Sequence, residues 1–331
     1  MRRRGTDTRH LSLSHARGSQ PQVFTADEVA ACNAAVDARS SNFQVRGRAG
    51  RACGAVRRHS LLYQQERTGK LRLGGTEPSM AGDGTTGRQD LGGLLAWRDA
   101  PALREMLCHP RLQPYYAELC GGNGYRLDHS PFVLQQAPGA DGFVMHGGAI
   151  DDLGRYDYEL SYACQGGRMR CALLAASLCL TDTAAGDGGF VVLPGSHKSN
   201  FLCPQSIKEH RVAKEYAVQP VTKAGDVVLF SEAMTHGTLA WQGPVTRRLA
   251  LYRFAPATQA YGRAYLRHED TWPAEYSEGM SQAQKAVLAA PYHTRLDRPA
   301  PAADGQGVVT PESRAGFKKE FDSKVFGTTY F

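Results

Sequence analysis

Between Gly124 and Pro256 the chain is a succession of short apolar segments with no helical stretch between them. YRLDHSPFVLQQ (125–136), MRCALLAASLCL (169–180), FVVLP (190–194), DVVLF (226–230) and RLALYRF (248–254) are apolar or alternating, and Gly, Pro or Asp bounds each of them. Short strands joined by long connections predict two packed sheets, a distorted jelly roll over about 122–258, rather than a parallel sheet with crossover helices. The fold class expected is therefore mainly β, a double-stranded β-helix with flanking α-helices.

The flanks read differently. TADEVAACNAAVDARS, from Thr25, has an N-cap threonine, acids in its first turn and Val29, Cys32 and Val36 on one face, which predicts a helix over 25–40. Residues 40–95 are rich in Gly, Arg and Ser, with turn signals at 74–75 and 83–84, and predict a long loop that could cover a site. A second helical region spans about 96–120, broken near Pro110, and SQAQKAVLAAP (281–291) is helical within a polar, Pro-rich tail. Residues 21–331 are expected to form a single domain, its core followed by a C-terminal extension over 259–331. Residues 1–20 carry five arginines and only Asp7 as an acid. That composition fits a disordered tail, with an organellar targeting segment as the alternative.

The net charge of +7 loses its suggestion of nucleic acid once it is localised. Residues 1–72 hold 14 Lys/Arg against 5 Asp/Glu, which leaves 25 against 27 for the rest of the chain. A basic face on the folded core is not expected, and neither is a nucleic-acid partner. No apolar run approaches the roughly 18 residues of a membrane span, so no membrane partner is expected. The eight cysteines include no CxxC pair, which points to free thiols in a reducing compartment such as the cytoplasm.

Three segments hold the candidate chemistry. His146 lies in FVMHGGAIDD, His236 in GDVVLFSEAMTHGTLAW, and Arg247 in VTRRLALYRF. Taken singly, each has an ordinary explanation: a histidine in a loop is usually a satisfied surface residue, and an arginine opening a strand is usually an edge charge. Their significance is joint. His197 in PGSHK reads as a turn brace, and Gly188 and Gly189 as positive-φ positions. Gln135 and Gln136 lie on the strand before His146, where one of the pair must face away from any site.

GDGGFVVLPGSHKSN (186–200) resembles the Gly-Gly…Pro-Gly-Ser-His turn of the phytanoyl-CoA dioxygenase family. The GDVVLF…HGT…RRLALYRF stretch is similar to that family's distal-histidine strand pair, and the 90 residues from His146 to His236 match its spacing. The resemblance covers about 125–256. It implies a cupin-like non-haem iron(II) oxygenase with 2-oxoglutarate as co-substrate, O2 as oxidant and a small organic molecule as substrate. Two imidazoles and a carboxylate suit iron(II) and leave open positions for the co-substrate and oxygen. On that resemblance His146 and His236 are metal ligands and catalytic residues. Arg247, also catalytic, binds the distal co-substrate carboxylate with Thr238 in support, since a planar guanidinium offers that group two parallel donors. Alternation along the strand points Arg248 the other way.

One departure stands out. The family pattern is His-x-Asp, whereas His146 is followed by Gly147 and Gly148. The third ligand could be Asp151 or Asp152 looping back, chloride at an open position as in iron halogenases, or water. An aspartate goes with hydroxylation of a C–H bond and chloride with halogenation, while loss of metal binding would leave a non-catalytic cupin-like binding module. Residues 1–20 lack a periodic apolar face, so a chain beginning at Pro21 is expected to express in soluble form and keep its activity, as a thermal melt beside an assay would show.

Overall fold

The computed structural model describes residues 19–20, 22–45, 77–83, 87–120, 124–151, 153–261, 272–291, 298–302, 307–310 and 315–327. The alternating segments become antiparallel strands in two sheets, neither of which closes on itself. In chain order the strands are β1 (Ser19–Gln20), β2 (Gln44–Val45), β3 (Gln89–Leu91), β4 (Tyr125–Leu127), β5 (Phe132–Gln136), β6 (Phe143–His146), β7 (Tyr162–Gln165), β8 (Arg168–Cys171), β9 (Leu174–Cys179), β10 (Gly189–Val192), β11 (Val227–Ser231), β12 (His236–Leu239) and β13 (Arg247–Pro256). The major sheet runs β1-β11-β9-β13-β5-β3-β2, with β4 also paired to β13, and the minor sheet runs β10-β12-β6. β7 and β8 form a separate hairpin around Gly166–Gly167, both at positive φ as a tight two-residue turn demands.

β13 organises the major sheet. It pairs with β9 along one side and with β5 and β4 along the other. Its even-numbered residues Ala250, Tyr252 and Phe254 are fully buried in the main hydrophobic core. That core fills the outer face of the sheet beneath helix α1 (Ala26–Asp37), helix α2 (Ala102–Glu105) and helix α3 (Gln113–Cys120). β9 follows the same rule: Leu174, Ala176 and Leu178 join the outer core, while Ala175 and Cys179 face the minor sheet.

α1 forms as expected. The Thr25 hydroxyl accepts from the Glu28 backbone N–H at 3.3 Å, and the Glu28 carboxylate accepts from the Thr25 N–H at 2.7 Å. Val29, Cys32 and Val36 are its buried face. The C-terminal helix Gln282–Val287 has an equivalent box at Ser281, and Trp272, Met280, Val287 and Leu288 belong to the main core.

Several expectations change. The 125–136 and 169–180 segments each divide into two strands rather than one. The 40–95 region is not all loop, because β2 and β3 extend the major sheet beyond β5. Residues 46–76 of that region lie outside the described residues, as do 1–18. Ser19 and Gln20, read as part of the extension, pair with Val228 and Val227. The truncation that spares the sheet therefore begins at Ser19, not Pro21. The cysteines are free among the described residues, and Cys53 lies outside them. No helix among the described residues is long and apolar enough to cross a membrane.

Phe254 stacks on Tyr116 at 4.3 Å between centroids and meets Tyr125 edge-on at 5.7 Å. Phe254→Ala should therefore cost about 3–5 kcal/mol, read as a lowered midpoint in urea unfolding.

Candidate functional site

The odd-numbered residues of β13 face the other way. Arg247, Leu249, Leu251 and Arg253 line a cavity between the two sheets, together with Cys179 of β9 and Phe230 of β11. The minor sheet supplies the opposite wall, with His146 at the end of β6, Phe190 on β10, and His236 and Thr238 on β12. The cavity is thus a sandwich interior in which polar groups replace part of the packing.

His146 and His236 are direct cross-strand partners, and their ring centroids lie 4.4 Å apart. Each ring is oriented by its own strand: Nδ1 of His146 lies 3.1 Å from the Val144 carbonyl, and Nδ1 of His236 lies 2.7 Å from that of Met234. A carbonyl can only accept, so in each neutral ring the proton sits on Nδ1 and Nε2 presents a lone pair. Phe143 packs edge-on to His146, and Phe230 lies 4.8 Å from His236. Burial, followed by the proximity of His236, pushes His146 down to about 3, so its lone pair is free at neutral pH.

Gly147 has to be glycine. A Cβ there would stand 2.5 Å from the Met234 carbonyl oxygen, and φ is +97°. At Gly148 the nearest atom to a built Cβ is the Ala233 oxygen at 4.0 Å, so the position is open, although φ is +104°. Asp151 turns away from the imidazoles. One of its oxygens accepts from the Leu153 and Arg155 backbone N–H groups, and the other pairs with the Arg155 guanidinium at 2.7 Å. Asp152 lies outside the described residues.

The carboxylate that does converge is Glu232, which the sequence reading passed over. His146, Glu232 and His236 each offer a ligand atom, all within 4.8 Å of one another. Glu232 is 6% exposed; its Oε1 accepts from Arg253 Nε at 2.6 Å, and its Oε2 lies 3.5 Å from His236 Nε2. Burial alone would raise this carboxyl, but Arg253, His236 and His146 together outweigh burial and hold it at about 2. Its spacing of four residues before His236, at a strand end, was the available signal.

Arg247 is buried at 6% exposure, and its Nη1 donates to Gln136 Oε1 at 2.7 Å. No carboxylate among the described residues pairs with it. Burial pulls the guanidinium down to about 10, which still leaves it charged at neutral pH. Gly189 of β10 makes this position accessible, because a Cβ there would lie 2.7 Å from Arg247 Nε. Arg248 points outward as alternation requires, to Gln135, Asn33 and Asp37. His236 and Thr238 share one face of β12. One expectation needs correcting: Arg247 does not neighbour the His236 strand within a sheet but faces it from the opposite sheet.

The set suits a divalent metal and an anion. Two imidazoles and a carboxylate gather at one end of the cavity, and a guanidinium with no carboxylate partner among the described residues lies in the same space, beside a hydroxyl-bearing wall.

Solved structures share this fold. HygX from Streptomyces hygroscopicus with nickel and 2-oxoglutarate bound is 19% identical, with a TM-score of 0.52 over 73% of this chain and 83% of that one. HygX with nickel, 2-oxoglutarate and hygromycin B bound is 20% identical over the same shares, also at 0.52. HygX with iron bound is 19% identical, with a TM-score of 0.50 over 73% and 82%. At such identities the likeness establishes the fold. No curated protein matches the chain. The model of the phytanoyl-CoA dioxygenase family matches residues 20–249, well over half of the sequence, and the chain belongs to the phytanoyl-CoA dioxygenase family.

Proposed function

We propose that the protein is an iron(II)- and 2-oxoglutarate-dependent oxygenase that hydroxylates a C–H bond of a small organic substrate. 2-Oxoglutarate and O2 would be consumed, with succinate, CO2 and the hydroxylated product released. The observation that carries this reading is Arg247, a buried cation whose protein partner is the neutral Gln136. A buried unpaired charge is costly, by about 3–5 kcal/mol when a partner is removed, so this one implies an anion from outside the chain. The phytanoyl-CoA dioxygenase family and the 2-oxoglutarate in the HygX structures support a dicarboxylate as that anion.

His146 and His236 would hold the iron through their imidazole nitrogens. Bound iron(II) would supply the oxygen-activating chemistry. The chain does the rest. Arg247 binds the distal carboxylate of the co-substrate, Thr238 donates to it from the facing sheet, and Gln136 fixes the guanidinium by also donating to the Asp141 carbonyl at 3.0 Å. Phe143, Phe190 and Phe230 exclude water from the reacting end of the cavity.

A second reading, halogenation with chloride beside the metal, draws on the open position at Gly148. It requires that no protein carboxylate occupy the centre.

Replacing His236 with Ala should abolish iron binding and succinate formation together; normal turnover by that variant would remove the histidine from the centre. Arg247→Ala should raise the 2-oxoglutarate concentration needed for half-maximal succinate formation by about ten- to hundredfold, since charge-assisted hydrogen bonds contribute roughly 1.5–3 kcal/mol. Arg248→Ala should leave that concentration within about twofold, and the reverse pattern would shift the strand assignment by one residue.

A further inference from the structure

We infer that Glu232 is the third protein ligand of the metal, replacing from the end of β11 the carboxylate that Gly148 cannot provide. The inference rests on the reading of His146 and His236 as ligands and deepens it.

The Glu232 backbone is held on both sides. Its N–H donates to the Leu173 carbonyl at 3.0 Å, and its own carbonyl accepts from the Gly148 N–H at 3.2 Å. Gly148, which has no side chain to offer, therefore braces the residue that supplies the charge. The turn to β12 is tightened by the Met234 N–H donating to the Ser231 carbonyl at 2.8 Å. This turn carries the Glu232 side chain back toward His236.

The carboxylate then faces two ways. Oε1 takes the Arg253 guanidinium at 2.6 Å. Oε2 is left over, 3.5 Å from His236 Nε2. The ion pair with Arg253 engages the first oxygen, and the second is turned toward the His236 ring. Nδ1 of that ring lies against the Met234 carbonyl, so Nε2 is the nitrogen that faces Oε2. With His146 the three groups each bring a ligand atom within 4.8 Å of the others, a spacing that one cation can bridge. Donors about 2.1 Å from one ion and at right angles lie about 3 Å apart, close to the separation seen here.

Among the described residues the competing carboxylate, Asp151, is engaged elsewhere. Both Asp151 oxygens are taken by its own turn and by Arg155. Glu232 also supplies the negative charge for which a halide would otherwise be required, which favours hydroxylation over halogenation. Arg253 is a positioning residue: it occupies one carboxylate oxygen and leaves the other for the metal.

The test is anaerobic titration of the full-length protein with cobalt(II) and with iron(II), in chloride-free and chloride-containing buffer, alongside circular dichroism of the metal-free forms. Loss of groups that merely orient ligands costs about 10–100-fold in metal affinity. Glu232→Gln, which keeps size and an acceptor for Arg253, should therefore weaken binding by about a hundredfold or more. Asp151→Ala and chloride removal should leave affinity within about threefold. Glu232→Asp retains the charge on a shorter arm and should bind cobalt(II) more weakly with a shifted visible spectrum; this arm stands even if the Gln variant fails to fold. Wild-type affinity in Glu232→Gln, an unshifted cobalt spectrum in Glu232→Asp, or a large loss on Asp151→Ala or chloride removal would overturn the assignment while leaving the oxygenase reading intact. A wild-type protein that bound neither metal would overturn both.

Discussion

The alternation of side chains along β13 is the constraint on which the molecule depends. Every second residue, Ala250, Tyr252 and Phe254, is committed to the core beneath the helices. The intervening positions must then face the minor sheet, whatever their chemistry. Tyr252 anchors this commitment by donating its hydroxyl proton to the Leu103 carbonyl at 2.6 Å, and Phe254 by stacking on Tyr116. A slip of one residue would turn Arg248 into the cavity and send Arg247 to the helix-backed face, where Arg248 now meets Asn33 and Asp37 of α1. The large apolar residues thus fix the orientation of the two arginines that matter to the cavity, Arg247 and Arg253.

The cavity itself is an arrangement of charges that no single element could hold. Arg253 finds Glu232, whereas among the described residues Arg247 finds an amide and no carboxylate. The asymmetry has a physical consequence. The Arg253–Glu232 pair is internally compensated and orders the end of the cavity near the imidazoles, while Arg247 contributes an uncompensated field at the other polar position. The two charged positions are thereby separated in space, with aromatic side chains between the sheets keeping the local dielectric low. Glycine has a matching role on the minor sheet. Gly147 lets the chain pass beneath His236, and Gly189 lets the Arg247 guanidinium lie against β10.

A jelly roll supports this because its two sheets contribute different kinds of group. The minor sheet is narrow, and its strands β6 and β12 place two histidines side by side by simple pairing. The major sheet is wide and backed by helices, so it tolerates buried cations on its inner face without losing its core. Glu232 belongs to the connection between the sheets, and its side chain is brought to both.

Much of this was legible in the sequence, for reasons that can be named. The helix at 26–37 carries its own capping box, and the strands of the sandwich announce themselves by alternation and by their bounding turns. His146, His236 and Arg247 lie in or beside strands, where periodicity determines side-chain direction; hence Arg247 could be separated from Arg248 by parity, while Gln135 and Gln136 could only be placed on opposite faces. What the tertiary structure alone decided lies in the connections. The pairing of β2 and β3 with the major sheet joins segments far apart in sequence, within a region whose composition reads as loop. Glu232 and Asp151 are both acids near a histidine in sequence, and nothing local distinguishes them. The Ser231–Thr235 turn folds one toward the imidazoles, while the Asp151–Arg155 turn consumes the other in its own hydrogen bonds. In a strand the direction of a side chain follows from its position; in a turn it follows from backbone contacts made across the fold, such as those of Glu232 with Leu173 and Gly148.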